Sequence, residues 1–199
     1  MMQLFLKGGV LMYPIFICSI LALAIFCERF FTYLRLQRSI RPLVREVESL
    51  VSNQRIDEAL AVCDREISPL ARIFATALRA SGKTREHLKV LVEEVGSREA
   101  APVERYLGLM ATIATISPLL GLLGTVLGMI KAFNVIALAG VGTPATLGGG
   151  ISEALITTAT GMAVAIPTIL LHRYLTSRAD ALVLEMEEHS LHLVNILGE

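Results

Sequence analysis

The chain alternates between charged segments and four long uncharged stretches. These stretches run from Gly8 to Cys27, from Tyr106 to Ile130, from Ala132 to Ser152 and from Ala154 to Leu171. A helix of about 20 residues, rising about 1.5 Å per residue, crosses a hydrocarbon core of roughly 30 Å. The third stretch holds the turn-forming residues Gly140, Gly142, Thr143-Pro144 and Gly148-Gly149-Gly150, so it predicts a connection. The pattern therefore predicts three transmembrane helices.

The first stretch has a competing interpretation as a secretory signal peptide, because Lys7 precedes the apolar run. The run is long for a signal peptide, however, and Glu28-Arg29-Phe30-Phe31 follows it in place of a small-residue cleavage site. We therefore expect a retained membrane anchor.

The charged segment between the first and second spans is predicted to be helical throughout. Pro42 after Ser39-Ile40-Arg41 suggests that a helix restarts there, Ser68-Pro69 opens another helix, and Thr84 is a candidate N-cap. Asp57 lies near the start of a further helical run. The segment has no strand signal, which argues against an α/β enzyme domain.

The C-terminal tail continues the helical pattern. Leu175, Leu182, Met186, Leu193 and Leu197 recur close to the helical period, so the tail and the last span are predicted to form one helix of about 45 residues, or about 65–70 Å. The fold class predicted is an all-α membrane protein with long helices extending into a cytoplasmic helical domain. The segments are 1–27 (first span), 28–105 (insert), 106–131 (second span), 132–152 (extracytoplasmic connection), 153–171 (third span) and 172–199 (tail).

The basic residues predict the orientation. Most of the 18 Lys and Arg residues lie between the first and second spans, and Arg173 and Arg178 follow the last span. Lys7 and Lys131 alone lie on the opposite side. Because cytoplasmic loops carry the excess of Lys and Arg, the insert and the C-terminus are predicted to be cytoplasmic and the N-terminus outside.

Composition agrees with a membrane protein and excludes several other classes. The chain is 54% hydrophobic and 18% charged, with a mean hydropathy of +0.63, whereas a soluble domain is about 25% charged. Its 18 basic and 18 acidic residues cancel, which removes the basic surface expected of a nucleic-acid binder. Gly121-Leu122-Leu123-Gly124-Thr125 lacks the Gly-Lys-Ser/Thr of a phosphate loop. Neither a cofactor nor enzymatic activity is predicted.

Metal binding is not favoured either. The three cysteines, Cys18, Cys27 and Cys63, form neither a disulfide framework nor a zinc spacing. The i,i+4 pairs Glu185–His189 and Glu188–His192 are interpreted as helix-stabilising pairs on a solvated face.

Small residues in the second span predict close helix packing. Gly121, Gly124 and Gly128 fall near one stripe, and small residues allow helices to approach closely in lipid. Pro118 lies in the middle of the span and frees the carbonyl of Ala114, which leaves a polar spot at membrane depth.

Hydroxyl groups lie at matching depths on the second and third spans. They belong to Thr112, Thr115, Ser117, Thr157, Thr158 and Thr160. Each can be satisfied by its own helix backbone, but together they are predicted to line a polar path.

Glu153 is the only acidic residue between Glu104 and Asp180. An ionisable group at a membrane boundary suggests a functional role. Ser152 as an N-cap with Glu153 in the first turn would instead stabilise a helix start. Both interpretations stay open. Since no other carboxylate lies within the spans, a proton path would need a carrier from another chain.

Two long motifs resemble the MotA/TolQ/ExbB proton-channel family. The second-span motif runs from Ile113 through Ser117-Pro118 and Gly121 to Ile130, and the third-span motif runs from Gly150 through Gly161 to Pro167. Topology and length resemble the ExbB branch, since the MotA branch has a fourth span and a larger cytoplasmic part.

The resemblance implies a proton-channel subunit of the bacterial inner membrane. It implies a homopentamer around a one-span partner of the ExbD/TolR type, whose membrane aspartate takes and releases protons. It further implies that the motion drives a TonB-type energy transducer for outer-membrane transport.

The resemblance also implies roles for single residues. Glu153 matches the family's third-span Glu and Thr158 its pore-facing Thr, while Gly161 and Pro167 are assigned to helix packing. The chain departs from the family pattern at Ile116, where some members have Thr, so Thr115 or Ser117 is expected to supply that hydroxyl. The predicted lining is therefore Thr115, Ser117, Glu153, Thr157 and Thr158.

The sequence also admits other roles than the ExbB type. One is a TolQ-like subunit for envelope maintenance, and another is a membrane scaffold that binds a one-span partner and conducts no ions. A small secondary transporter is disfavoured, because the chain has no internal repeat.

Overall fold

The computed structural model describes residues 8–139 and 144–198 as helices joined by short turns. The helices are α1 (Met12–Ser52), α2 (Ile56–Arg65), α3 (Pro69–Arg79), α4 (Arg85–Glu104), α5 (Leu107–Ala139) and α6 (Pro144–Leu197). No strand occurs in the described ranges. By length and composition, helical stretches over Met12–Ser52, Arg85–Leu138 and Gly148–Leu197 can each cross a membrane. The predicted class, an all-α membrane protein, is confirmed.

The chain divides into two compact units. Residues 1–27 and 106–174 form the first, called here the span unit, and residues 28–105 and 175–199 form the second, called here the helical unit. The assignment of residues to lipid, connection and cytoplasm stays a prediction.

Helix α6 begins earlier than the sequence suggested. It starts at Pro144, and α5 extends to Ala139, so most of the predicted connection over 132–152 is helical. Proline suits the first helical position because the N–H there has no partner. Glu153 therefore lies well inside α6, and its interpretation as a first-turn residue behind a Ser152 cap is wrong.

Gly150, the last residue of the glycine run in α6, packs closely against α5. A Cβ at Gly150 would lie 2.9 Å from the carbonyl oxygen of Gly128 and 3.2 Å from the Cβ of Ala132. Glycine disfavours helix by about 1 kcal/mol relative to alanine. Close packing along α5 outweighs that propensity.

The core of the helical unit forms around α3, which packs against α2 and α4. The side chains of Leu70, Ile73, Phe74 and Leu78 on α3 are almost completely buried. Helix α3 begins as predicted, with Pro69 in its first turn and the Ser68 hydroxyl accepting from the Ala71 amide at 3.2 Å.

The predicted restart at Pro42 is wrong, because Pro42 lies inside the continuous helix α1.

Two side chains of α1 satisfy carbonyls at the end of α4. Arg29 Nη1 donates to the Pro102 carbonyl at 2.9 Å, and the Tyr33 hydroxyl donates to the Val103 carbonyl at 2.7 Å. The last carbonyls of a helix have no intrahelical donor, so these bonds replace the missing partners. Burial raises the pKa of Tyr33, which keeps its hydroxyl protonated as a donor.

The thiol of Cys63 is expected to be almost inert in the folded protein. Burial, with a smaller contribution from Asp64, raises its pKa from 9.0 to about 12. Its thiolate fraction at pH 8 is then about a thousandfold lower than that of an ordinary cysteine. In a Cys18→Ser/Cys27→Ser variant, a maleimide should label Cys63 only after denaturation. Fast labelling of the folded variant would contradict the burial of this side chain.

Candidate ion-path helices

Helices α5 and α6 approach each other closely along a row of glycines. A Cβ at Gly124 would lie 2.5 Å from Thr157 Cγ2, and one at Gly128 would lie 2.7 Å from the Gly150 carbonyl oxygen. A Cβ at Gly161 would lie 2.6 Å from the Ser117 carbonyl oxygen. Such distances are too short for any real side chain, so glycine is required for this approach.

Thr158 links the two helices by a hydrogen bond. Its Oγ1 donates to the carbonyl oxygen of Gly121 at 2.7 Å, and a Cβ at Gly121 would lie 3.0 Å from Thr158 Cα. The side chain is half-buried. Since a hydroxyl has one hydrogen and two lone pairs, Thr158 can still accept a hydrogen bond from water or from another chain.

Ser117 and Thr157 lie inside the subunit. Their exposed fractions are 0% and 1%. Ser117 Oγ donates to the Ile113 carbonyl at 2.7 Å, and Thr157 Oγ1 lies 2.6 Å from the Gly8 carbonyl and 2.8 Å from the Glu153 carbonyl. Neither side chain is exposed on the surface of this subunit. Their predicted role in lining an ion path stays a prediction.

The other hydroxyls bond within their own helices. Thr112, Thr115 and Thr160 donate to the carbonyls four residues earlier, at 2.9, 3.0 and 2.8 Å. Thr115 is exposed, and its neighbour Ile116 is 41% exposed. Of the six hydroxyls predicted to line the path, Thr158 is thus the one that bonds from α6 to α5.

The two prolines of the motifs lie inside the helices, Pro118 in α5 and Pro167 in α6. Each lacks an N–H, so neither can bond the carbonyl four residues earlier, on Ala114 and Ala163 respectively. Each therefore leaves a polar backbone group within a span.

Glu153 forms an ion pair that joins α5 to α6. Lys131 Nζ donates to Glu153 Oε1 at 2.6 Å, and the side chains are 58% and 24% exposed. Gly9, with φ of 71°, lies so close that a Cβ there would meet Glu153 Oε1. Sequence reasoning missed this role of Lys131. The signal was present, since Lys131 is the only Lys or Arg between Arg105 and Arg173.

The described residues contain no group of three or more His, Cys, Asp or Glu side chains placed to hold a metal ion. His192, a member of one of the i,i+4 pairs, has its Nε2 atom 3.7 Å from Oε1 of Glu48 on α1. The threonine and serine hydroxyls of α5 and α6, together with the ion-paired carboxylate of Glu153, can solvate or relay an ion. Apart from Glu153, the predicted spans contain no Asp or Glu.

More than half of the chain matches the sequence profile of a known protein family. Residues 65–188 match the profile of the MotA/TolQ/ExbB proton channel family. The ExbB-like 3 protein of Synechocystis is 35% identical over 90% of this chain and 88% of its own length. Biopolymer transport protein exbB1 of Vibrio cholerae is 31% identical over 98% of this chain and 86% of its own length.

A protein of the Tol-Pal system matches over a shorter region. TolQ of Pseudomonas aeruginosa is 39% identical over 44% of this chain and 38% of its own length. The family match covers more than half of the chain and includes the close approach of α5 and α6. The chain is therefore a multi-pass membrane protein that belongs to the MotA/TolQ/ExbB proton channel family.

Proposed function

We propose that the chain is the channel-forming subunit of an ExbB-ExbD-type complex in the bacterial inner membrane, where it uses the proton motive force to drive a TonB-type transducer. The observation that carries this proposal is the Thr158–Gly121 hydrogen bond at the glycine-lined approach of α5 and α6. It places a hydroxyl with free lone pairs inside a membrane-spanning pair of helices that holds no acid of its own at that level.

The missing acid implies a partner. A hydroxyl does not titrate at physiological pH, so a proton path built on Thr158 and Thr115 needs a carboxylate from another chain. A one-span protein of the ExbD/TolR type with a membrane aspartate would supply it. Glu153 is five residues before Thr158 and would act at the outer part of the same path.

The surface of the span unit supports assembly with other chains. Leu119, Leu122, Val126 and Phe133 on α5 are at least half exposed, as are Leu155 and Ile166 on α6. We propose a homopentamer in which these faces meet lipid and neighbouring copies. The basic insert and tail would be cytoplasmic and the N-terminus outside.

A TolQ-like role is the second candidate, because a TolQ protein is among the relatives. The ExbB-type role is favoured because the exbB1 match covers 98% of this chain, whereas the TolQ match covers 44%. Complementation separates them. Restored TonB-dependent uptake in a strain lacking its ExbB supports the first role, and restored envelope integrity in a strain lacking its TolQ supports the second.

Proton flux tests the channel itself. The chain and a one-span protein of the ExbD/TolR type would be reconstituted into vesicles containing a pH-sensitive dye. An imposed membrane potential should drive proton uptake when both chains are present. Absence of flux from a correctly assembled complex would contradict the proposal and favour a scaffold that conducts no ions.

Glu153→Gln is expected to impair flux strongly while lowering stability little. The Lys131–Glu153 pair is partly exposed, and such pairs contribute about 1 kcal/mol or less. Lys131→Gln is the matched control, because it breaks the same ion pair but keeps the carboxylate. If both variants lose flux equally, the ion pair is what matters. If Glu153→Gln prevents assembly, its role is structural.

A further inference from the structure

A row of arginines runs along the exposed face of α1 in the helical unit. The row comprises Arg35, Arg38, Arg41 and Arg45, and all four side chains are exposed. The opposite face carries the buried residues Leu36, Ile40, Val44 and Val47. No ion pair of these four arginines is found within residues 8–139 and 144–198. The row is therefore available to an acidic partner outside the chain.

The arginines differ in their distance from the predicted end of the first span at Cys27. Because α1 is continuous from Met12 to Ser52, Arg35 lies about 12 Å beyond Cys27 along the helix and Arg45 about 27 Å beyond it. Headgroups extend about 5–8 Å beyond the hydrocarbon, and the Debye length adds about 8 Å. Helical side chains also tilt toward the N-terminus, which here is toward the membrane. Arg35 and Arg38 can reach headgroups, and Arg45 cannot.

The two near arginines border an open concavity of about 670 Å³. It is lined by Glu28, Phe31, Thr32, Leu34, Arg35 and Arg38. Phe31 is 68% exposed and lies about 6 Å beyond Cys27, at the level of the headgroups. An aromatic ring and Leu34 beside two guanidinium groups fit the chemistry of a lipid, with apolar and anionic parts side by side.

Glu28, the one carboxylate in this lining, is already paired. Its side chain contacts the guanidinium of Arg29, which is 6% exposed. The hydrogen bond from Arg29 lowers the pKa of Glu28, so it stays ionised and its charge is offset by that arginine. The concavity therefore has a net positive charge from Arg35 and Arg38.

We propose that Arg35, Arg38 and Phe31 form a binding site for the headgroup of an anionic phospholipid. The site is continuous with a membrane-spanning helix, its charge is complementary to a phosphate, and its distance from the span matches the headgroup layer. An acidic protein would pair with the whole row, including Arg45, whereas a lipid contacts only the near part. This site is separate from the proposed proton path and does not depend on it.

The test measures how lipids bind to the full chain purified in a neutral detergent. Dioleoylphosphatidylglycerol and dioleoylphosphatidylcholine would be titrated separately, with bound lipid counted by native mass spectrometry. The wild type should prefer phosphatidylglycerol. One arginine near an anionic surface contributes about a factor of five, so Arg35→Gln should weaken that binding about fivefold and Arg35→Gln/Arg38→Gln about 30-fold.

Arg45→Gln is the matched control, because it removes the same charge from the same face of the same helix at a greater distance. It should change phosphatidylglycerol binding less than twofold, and Arg35→Lys should retain most of the binding. An equal loss in Arg35→Gln and Arg45→Gln would overturn the proposal, since it would mean that the whole row acts. A wild type without preference between the two lipids would also overturn it and favour a second copy of the chain on this face.

Discussion

Replacing Thr158 by valine is expected to abolish proton flux while leaving the complex assembled. The substitution keeps the side-chain volume and removes the hydroxyl that donates to the Gly121 carbonyl at 2.7 Å. The loss of one hydrogen bond should lower stability by about 1 kcal/mol. Flux should fall much further, because the variant has no side-chain oxygen at position 158 to accept a hydrogen bond from the partner's carboxyl group.

Two controls separate the hydroxyl of Thr158 from general damage to the span. Thr158→Ser keeps the hydroxyl and should retain flux. Thr160→Val removes a hydroxyl from the same helix, but that hydroxyl donates to the Ile156 carbonyl of its own helix, so flux should be nearly normal. The measurement is dye-monitored proton uptake with subunit counts by native mass spectrometry. Normal flux in Thr158→Val would remove this residue from the path.

The spans could be predicted from sequence because the bilayer imposes a simple requirement. A stretch of apolar residues must be long enough and nearly free of charge, and those properties are local. The start of α3 was also predictable, because the Ser68-Pro69 signal acts within a single turn of helix. The sequence therefore predicts the structure correctly where interactions within a single helix determine it.

Local rules failed where packing between helices decides the structure. The glycines before Ile151 predicted a connection, yet Gly150 is helical because it contacts Gly128 and Ala132 on α5. Pro42 predicted a helix restart, yet α1 continues through it. At Gly150, contact with α5 outweighs a helix propensity of about 1 kcal/mol. At Pro42 the ring itself is exposed, but Ile40, Leu43 and Val44 beside it are buried, and their burial offsets the few kcal/mol by which proline disfavours a helix.

The partners of the candidate site residues were not predictable for the same reason. Sequence places six hydroxyls on two spans, but only the rotation of α5 against α6 decides that Thr158 bonds across and that Ser117 is buried. Glu153 was recognised as unusual by its charge alone. Its pairing with Lys131 depends on how α5 and α6 pack against each other, which the sequence does not specify.

Substitution of Gly161 is expected to be the most damaging change to the packing of the span unit. A Cβ at Gly161 would lie 2.6 Å from the Ser117 carbonyl oxygen and 3.1 Å from Gly121 Cα. Both contacts are to backbone, which cannot move aside as a flexible side chain can. Overpacking of this kind costs about 1–3 kcal/mol, so Gly161→Ala should lower the thermal unfolding midpoint and Gly161→Leu should prevent assembly.

Gly108→Ala provides the control in α5, because nothing lies within 4 Å of a Cβ at that position. Alanine favours helix over glycine by about 1 kcal/mol, so this variant should be as stable as the wild type or slightly more stable. Unfolding midpoints in detergent and subunit counts would be compared for the three variants. If Gly161→Ala matched Gly108→Ala in stability, the close approach of α5 and α6 would be wrong, and the Thr158–Gly121 hydrogen bond that depends on it would be lost as well.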